Sequence, residues 1–216
     1  MSTTIIFSNM GDVDTDVLRN LWNGIADAKV VEITKFTRNA EDLVNDAIAE
    51  ETDTLIMCGH GTPDGLINPN FTDRRRYLIG GHNIHFINAQ RIIVIWCHAK
   101  QFAEQFGVRG FWNSMFISNI MEARLNGIFS TTAKKITTNE IKFCKTVNVL
   151  LKTKVLCENW LKFLFATADF NDPVIRFNYN GLAYFAEAPA PKRHLFNFGD
   201  YDSIMSFEHK RWGWNF

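Results

Sequence analysis

The sequence predicts an α/β domain with a mainly parallel sheet and helices on both faces. Three observations carry that expectation. β-Branched apolar runs alternate with helical spacing over the first sixty residues, as right-handed crossovers between parallel strands require. The runs Thr54–Cys58 and Ile92–Trp96 are short, apolar and bounded by turn formers, as strands covered on both faces are. The 216 residues suffice for one good-sized core and are too few for two full domains.

Taken in order, Thr3–Phe7 reads as a first strand. A helix over Asp14–Ala28 follows, with Val17, Leu18, Leu21, Trp22 and Ile25 at helical spacing and Asp14 or Thr15 as its cap. Val30–Phe36 is a second strand, and Asn39–Glu51 a second helix burying Leu43, Val44, Ala47 and Ile48. Thr54–Cys58 is the third strand. From Thr62 to Asn88 the pattern breaks into Gly, Pro, Asn and charge, which reads as a long functional loop. Strand Ile92–Trp96 precedes helices at Ala99–Phe106 and near Ser114–Leu125, then a strand-like run Gly127–Thr132. Helical spacing covers Asn139 to about Ala168 as one helix or two. Val174–Tyr179, Asn180-Gly181 and Leu182–Glu187 read as a β-hairpin, because Asn-Gly suits the two-residue turn that matches strand twist.

The 23 basic and 23 acidic side chains cancel, so no whole-chain field favours nucleic acid or an anionic membrane. The apolar runs fall far short of the roughly 20 residues of a membrane span, and the first residues lack the parts of a signal peptide. A cytoplasmic protein is expected, with no membrane or nucleic-acid partner. Cys58, Cys97, Cys144 and Cys157 show no tight spacing framework, which suits free thiols in a reducing compartment. Residues 1–188 read as the domain. Residues 189–216 form an extension rich in Phe, Tyr and Trp, expected to wrap the domain or bury against a second copy or another protein.

Two of the strands end on residues with chemistry. Thr54–Cys58 runs into Gly59-His60-Gly61, and Ile92–Trp96 runs into Cys97. Ligands of parallel sheets sit beyond the carboxyl ends of their strands, so a thiol and an imidazole delivered there are the parts of a nucleophile and its base. An apolar run ending in His-Gly, then another ending in Cys, resembles the caspase-like (clan CD) cysteine peptidases: caspases, legumain, clostripain, gingipain, separase and the CHAT domains. Gly59-His60-Gly61-Thr62-Pro63-Asp64-Gly65-Leu66 is similar to the segment around the family's catalytic His. Gly127-Ile-Phe-Ser-Thr-Thr-Ala-Lys134 is similar to the next strand, whose Ser/Thr pair flanks the pocket for the substrate's P1 side chain.

The resemblance implies a caspase-like three-layer sandwich closed by a C-terminal β-hairpin, and cysteine endopeptidase activity on peptide or protein substrates without a cofactor. Carried over, Cys97 is the nucleophile, His60 the general acid and base, and the Gly61 and Cys97 amides the oxyanion hole. No Asp is recruited as a third member. Trp96, Ser130, Thr131 and Thr132, with Asp64 and Asp73 from the long loop, would wall the P1 pocket, the acids favouring a basic P1 residue. The sequence departs from the family at Trp96, where many members carry a small or polar residue; it would either line the pocket or plug it. His98 is a second proton carrier beside Cys97.

Other readings stand beside this one. Cys97 alone fits a buried core thiol, and His60 alone a loop histidine bonded to backbone. An inactive caspase-like domain serving binding or assembly would keep the same pattern. A zinc-dependent hydrolase would draw on Cys58, His60, Cys97 and His98, with His82 and His85 as an H-x-x-H pair. Adjacent residues of an extended strand point apart, which counts against Cys97 and His98 as joint ligands. The Arg74-Arg75-Arg76 run reads as a solvated loop.

Overall fold

The computed structural model describes residues 2–70 and 75–190. Strands β1 (Thr3–Ser8), β2 (Ala28–Ile33), β3 (Thr52–Cys58), β7 (Ala89–Ile95), β8 (Gly110–Asn113) and β9 (Leu182–Phe185) form one six-stranded sheet in the order β2-β1-β3-β7-β8-β9. All neighbours are parallel except β8 and β9. The fold is therefore mixed α/β with a mainly parallel sheet, as the alternation of elements predicts. Strands β4 (Gly61–Thr62), β5 (Gly65–Ile67) and β6 (Tyr77–Gly80) make a separate antiparallel sheet.

Alternation along the strands divides the core in two. Ile5, Phe7, Ile56, Cys58, Ile93, Ile95 and Phe111 face α5 (Ala133–Lys152), α6 (Trp160–Thr167), α7 (Pro173–Asn180) and the 3₁₀ turn Val17–Leu21. Ile6, Leu55, Met57, Ile92, Val94, Trp96 and Trp112 face α2 (Ala40–Ala49), α3 (Ala99–Phe106) and the small sheet. Each sheet residue thus reaches the face opposite to its chain neighbour, so both faces are dry and the strands read as unbroken apolar runs.

Several elements differ from the sequence expectation, each for a local reason. The first helix is one α-turn, α1 (Val13–Asp16), continued by Val17–Leu21 as 3₁₀, and its N-cap is Asp12, not Asp14 or Thr15. The expected loop over Thr62–Asn88 holds β4, β5 and β6, whose two to four residues each are too short to show a period. Gly127–Thr132 is not a strand. The strand beside β7 is β8, which starts at Gly110 with φ +134°, where a Cβ would stand 2.5 Å from the Ile92 carbonyl oxygen. The shorter helix near it is α4 (Ile120–Leu125), capped by Asn119.

The expected hairpin over Val174–Glu187 does not form. Val174–Tyr179 lies in α7, because the Asp172 side chain accepts from the Val174 and Ile175 amides at 2.8 and 3.3 Å and Pro173 takes the first helical position. That cap outweighs the β-propensity of Val-Ile, and the strand that follows, β9, pairs with β8 instead. Helical spacing over Asn139–Ala168 resolves into α5 and α6, parted around Lys154 at φ +57°. Among the described residues no helix is long and apolar enough to cross a membrane. Of the aromatic extension, residues 191–216 lie outside the described residues, as does Asp73.

Candidate active site

The parallel register of β3 with β7 sets Cys58 opposite Ile95. His60 and Cys97 each stand two residues beyond that pair, so equal run-out from paired strands brings both to the same sheet edge. The Gly59 amide donates to the Ile95 carbonyl at 3.2 Å and holds the two exits together. His60 and Cys97 line one cleft with Asp14, Thr15, Leu18, Phe116, Ser118 and Glu140. Both are partly exposed.

Glycine flanks His60 on both sides for reasons of space. Gly59 has φ +143°, and a Cβ there would lie 2.6 Å from the Ser8 carbonyl oxygen of β1. At Gly61 a Cβ would come within 2.3 Å of Trp96 Cδ1. The residue after the histidine and the residue before the cysteine are thus in contact, which registers one loop against the other. Trp96 is 2% exposed, and its indole packs on Phe102 and Trp112 at centroid distances of 5.2 and 6.4 Å. Trp96 is among the residues that line the cleft, though nearly all of its surface is enclosed, and it braces the two loops against each other.

The Gly61 amide is placed for an acceptor outside the small sheet. The Ile67 amide donates to the His60 carbonyl at 2.9 Å, which makes Gly61 and Leu66 a non-hydrogen-bonded pair of the antiparallel ladder. At such a pair the N–H points away from the partner strand. The Cys97 turn is built from β8: the Trp96 amide donates to Asn113 Oδ1 at 3.1 Å, and the His98 amide to the Ser114 carbonyl at 3.2 Å. His98 adopts φ +67° as it opens α3, so the chain turns sharply at Cys97. The Cys97 thiol donates to the Phe116 carbonyl at 3.7 Å.

A third group, which sequence reasoning passed over, meets His60. Asp12 Oδ2 lies 3.1 Å from His60 Nε2, while its Oδ1 accepts the Thr15 amide at 2.8 Å. One carboxylate therefore caps α1 and orients the imidazole. Burial works against its charge, but the His60 and Thr15 hydrogen bonds outweigh that and hold the Asp12 carboxyl below its ordinary range. The signal that could have found it was the capping position itself, since Asp12 precedes the helical spacing of Val13–Leu21 at the end of the strand that neighbours β3. His98 is differently placed: its Nδ1 lies 3.3 Å from the Gln101 amide nitrogen, and burial keeps the ring's pKa below the usual histidine value.

Of the expected pocket walls among the described residues, Trp96 lines the cleft and the others do not. Ser130 and Thr132 are exposed in the connection before α5, and Thr132 caps that helix by accepting the Lys135 amide at 3.3 Å. Thr131 shares that connection, and the reason for the displacement is that β8, not residues 127–132, continues the sheet. Asp64 sits in the β4–β5 turn, where its amide donates to the Thr62 hydroxyl oxygen at 3.1 Å, and is not part of the cleft lining. Cys58 is wholly buried among Phe7, Ile56 and Ile95, which disposes of it as a zinc ligand. Among the described residues no group of three or more His, Cys, Asp or Glu side chains could hold a metal ion.

The chain matches no protein-family model and no curated protein.

Proposed function

We propose that the chain is a cysteine endopeptidase of caspase-like type, with Cys97 as nucleophile and His60 as general acid and base. The observation that carries this is the shared cleft of His60 and Cys97 at the carboxyl ends of adjacent parallel strands. In the proposed reaction Cys97 Sγ attacks the scissile carbonyl carbon, and the thiol proton passes to His60. The carbonyl oxygen becomes an oxyanion that the Gly61 and Cys97 amides receive. As the C–N bond breaks, His60 gives its proton to the leaving amine, which leaves a thioester on Cys97. Water then attacks the thioester carbon, His60 takes its proton and returns it to sulfur, and the carboxylic acid departs.

With Nε2 directed at Asp12, Nδ1 is the nitrogen assigned to proton transfer. Asp12 is a positioning residue in this scheme. Asp12→Asn should lower kcat on the order of 100-fold with little change in KM, because a neutral amide can hold the ring in the wrong tautomer. Asn caps a helix as well as Asp does, so the melting temperature should stay within a few degrees. A fall in stability of the same size as the fall in kcat would assign Asp12 to the fold alone.

A second reading, a domain retained for binding, has one observation in its favour: the Cys97 thiol is already engaged with the Phe116 carbonyl. Digestion of a pooled peptide library, read by mass spectrometry with Cys97→Ala as control, separates the two. Cleavage by the wild type that Cys97→Ala lacks supports the peptidase; identical digests leave the binding reading.

A further inference from the structure

We propose that the cleft beside Cys97 takes a cationic side chain, arginine or lysine, with Glu140 of α5 as its counter-charge. The proposal rests on the peptidase reading for what the cleft does, though not for what it binds. Glu140 is 4% exposed and lines the cleft together with Asp14, Phe116 and Cys97. Among the described residues no hydrogen bond or ion pair reaches its carboxyl. The charges that act on it come from Asp14 and Asp12 at α1 and from Glu122 on α4, and all are acidic.

A buried carboxyl without a donor is costly, and such groups are normally paired or kept protonated. Burial first, and then its acidic neighbours, push the Glu140 carboxyl well above the ordinary 4.5 and so favour its neutral form until a cation arrives. A side chain that enters with its own donors and positive charge satisfies Glu140 and relieves the surrounding acids together. Leu18, Ile95 and Phe116 line the same cleft and offer apolar surface to the aliphatic stem of such a side chain. An anionic side chain would be repelled, and a neutral one would leave the carboxyl unpaired. A bare metal ion fits less well, since no three of the acidic, Cys or His groups among the described residues converge on a point.

The test uses four fluorescent peptides that differ at one residue, Arg, Lys, citrulline or Leu, bound to Cys97→Ala protein and read by anisotropy. Citrulline keeps the shape of arginine without its charge. Arg and Lys peptides should bind at least about tenfold tighter than the citrulline and Leu peptides, and Glu140→Gln in the same background should reduce that ratio to within about twofold. Equal binding of Arg and citrulline, a ratio that Glu140→Gln leaves intact, or no binding of any of the four would overturn the proposal. Turnover of the same peptides by wild-type protein separates the two readings. Discrimination in binding without cleavage refutes the peptidase alone, and cleavage without discrimination refutes the cationic pocket alone.

The variant is expected to fold. Glu140 binds its proton more tightly folded than unfolded, so its ionisation makes stability fall as pH rises above about 4.5. Glutamine does not ionise and escapes that loss, and the melting temperature of Glu140→Gln at pH 7 should equal or exceed that of the wild type.

Discussion

Cys97→Ala and His60→Ala are each expected to lower kcat/KM for the best peptide at least about 1,000-fold, and the double variant should be little worse than either. The thiol has no chemical substitute in the cleft, because Cys58, Cys144 and Cys157 are buried in the core. The imidazole has none either, since His98 is directed at Gln101, does not line the cleft, and has its pKa lowered by burial. His98→Ala should therefore cost less than about tenfold. Steady-state kinetics on the four variants checks this, and loss of turnover in His98→Ala with retention in His60→Ala would transfer the role of base to His98.

Gly61→Ala is expected to destabilise the fold by about 3 kcal/mol and to misalign the two loops. Its Cβ would come 2.3 Å from Trp96 Cδ1 and 2.9 Å from Trp96 Cβ. The indole has nowhere to go, with Phe102 and Trp112 against it and 2% of its surface exposed. Pairing Gly61→Ala with Trp96→Leu should cost less than the sum of the two single changes, because the smaller side chain makes room for the methyl group. Chemical denaturation of the three variants measures the coupling. Strict additivity would mean that the two residues do not share the space the structure gives them.

The architecture was legible where strands are covered on both faces. Thr54–Cys58 and Ile92–Trp96 stand out because every residue in them is buried, and their ends led to His60 and Cys97. The elements misread are those whose conformation depends on a cap or a close approach. Asp172-Pro173 turns a β-like Val-Ile run into α7, and Gly110 lets β8 approach Ile92 closely enough to continue the sheet. Missing β8 displaced the expected pocket to Ser130–Thr132 and hid Asn113, which holds the Trp96 amide. The pairing of Asp12 with His60 and the place of Glu140 in the cleft were missed for another reason. The partners lie 48 residues apart in the first case, while Glu140 lies on the long helix and reaches the cleft only through packing.

The proposed catalysis depends on a thiol at Cys97 activated by the imidazole of His60. Limiting iodoacetamide near neutral pH, followed by peptide mapping, measures that directly. Burial alone favours Cys97 over the other thiols: Cys58 and Cys144 are fully enclosed with their pKa values raised by desolvation, and Cys157 is pushed up to about 11. The dependence on His60 is therefore the decisive comparison. Cys97 should be alkylated at least about tenfold faster than the other three, and His60→Ala should remove most of that advantage. Labelling of Cys97 at an unchanged rate in His60→Ala, or of another cysteine as fast as Cys97 in the wild type, would contradict it.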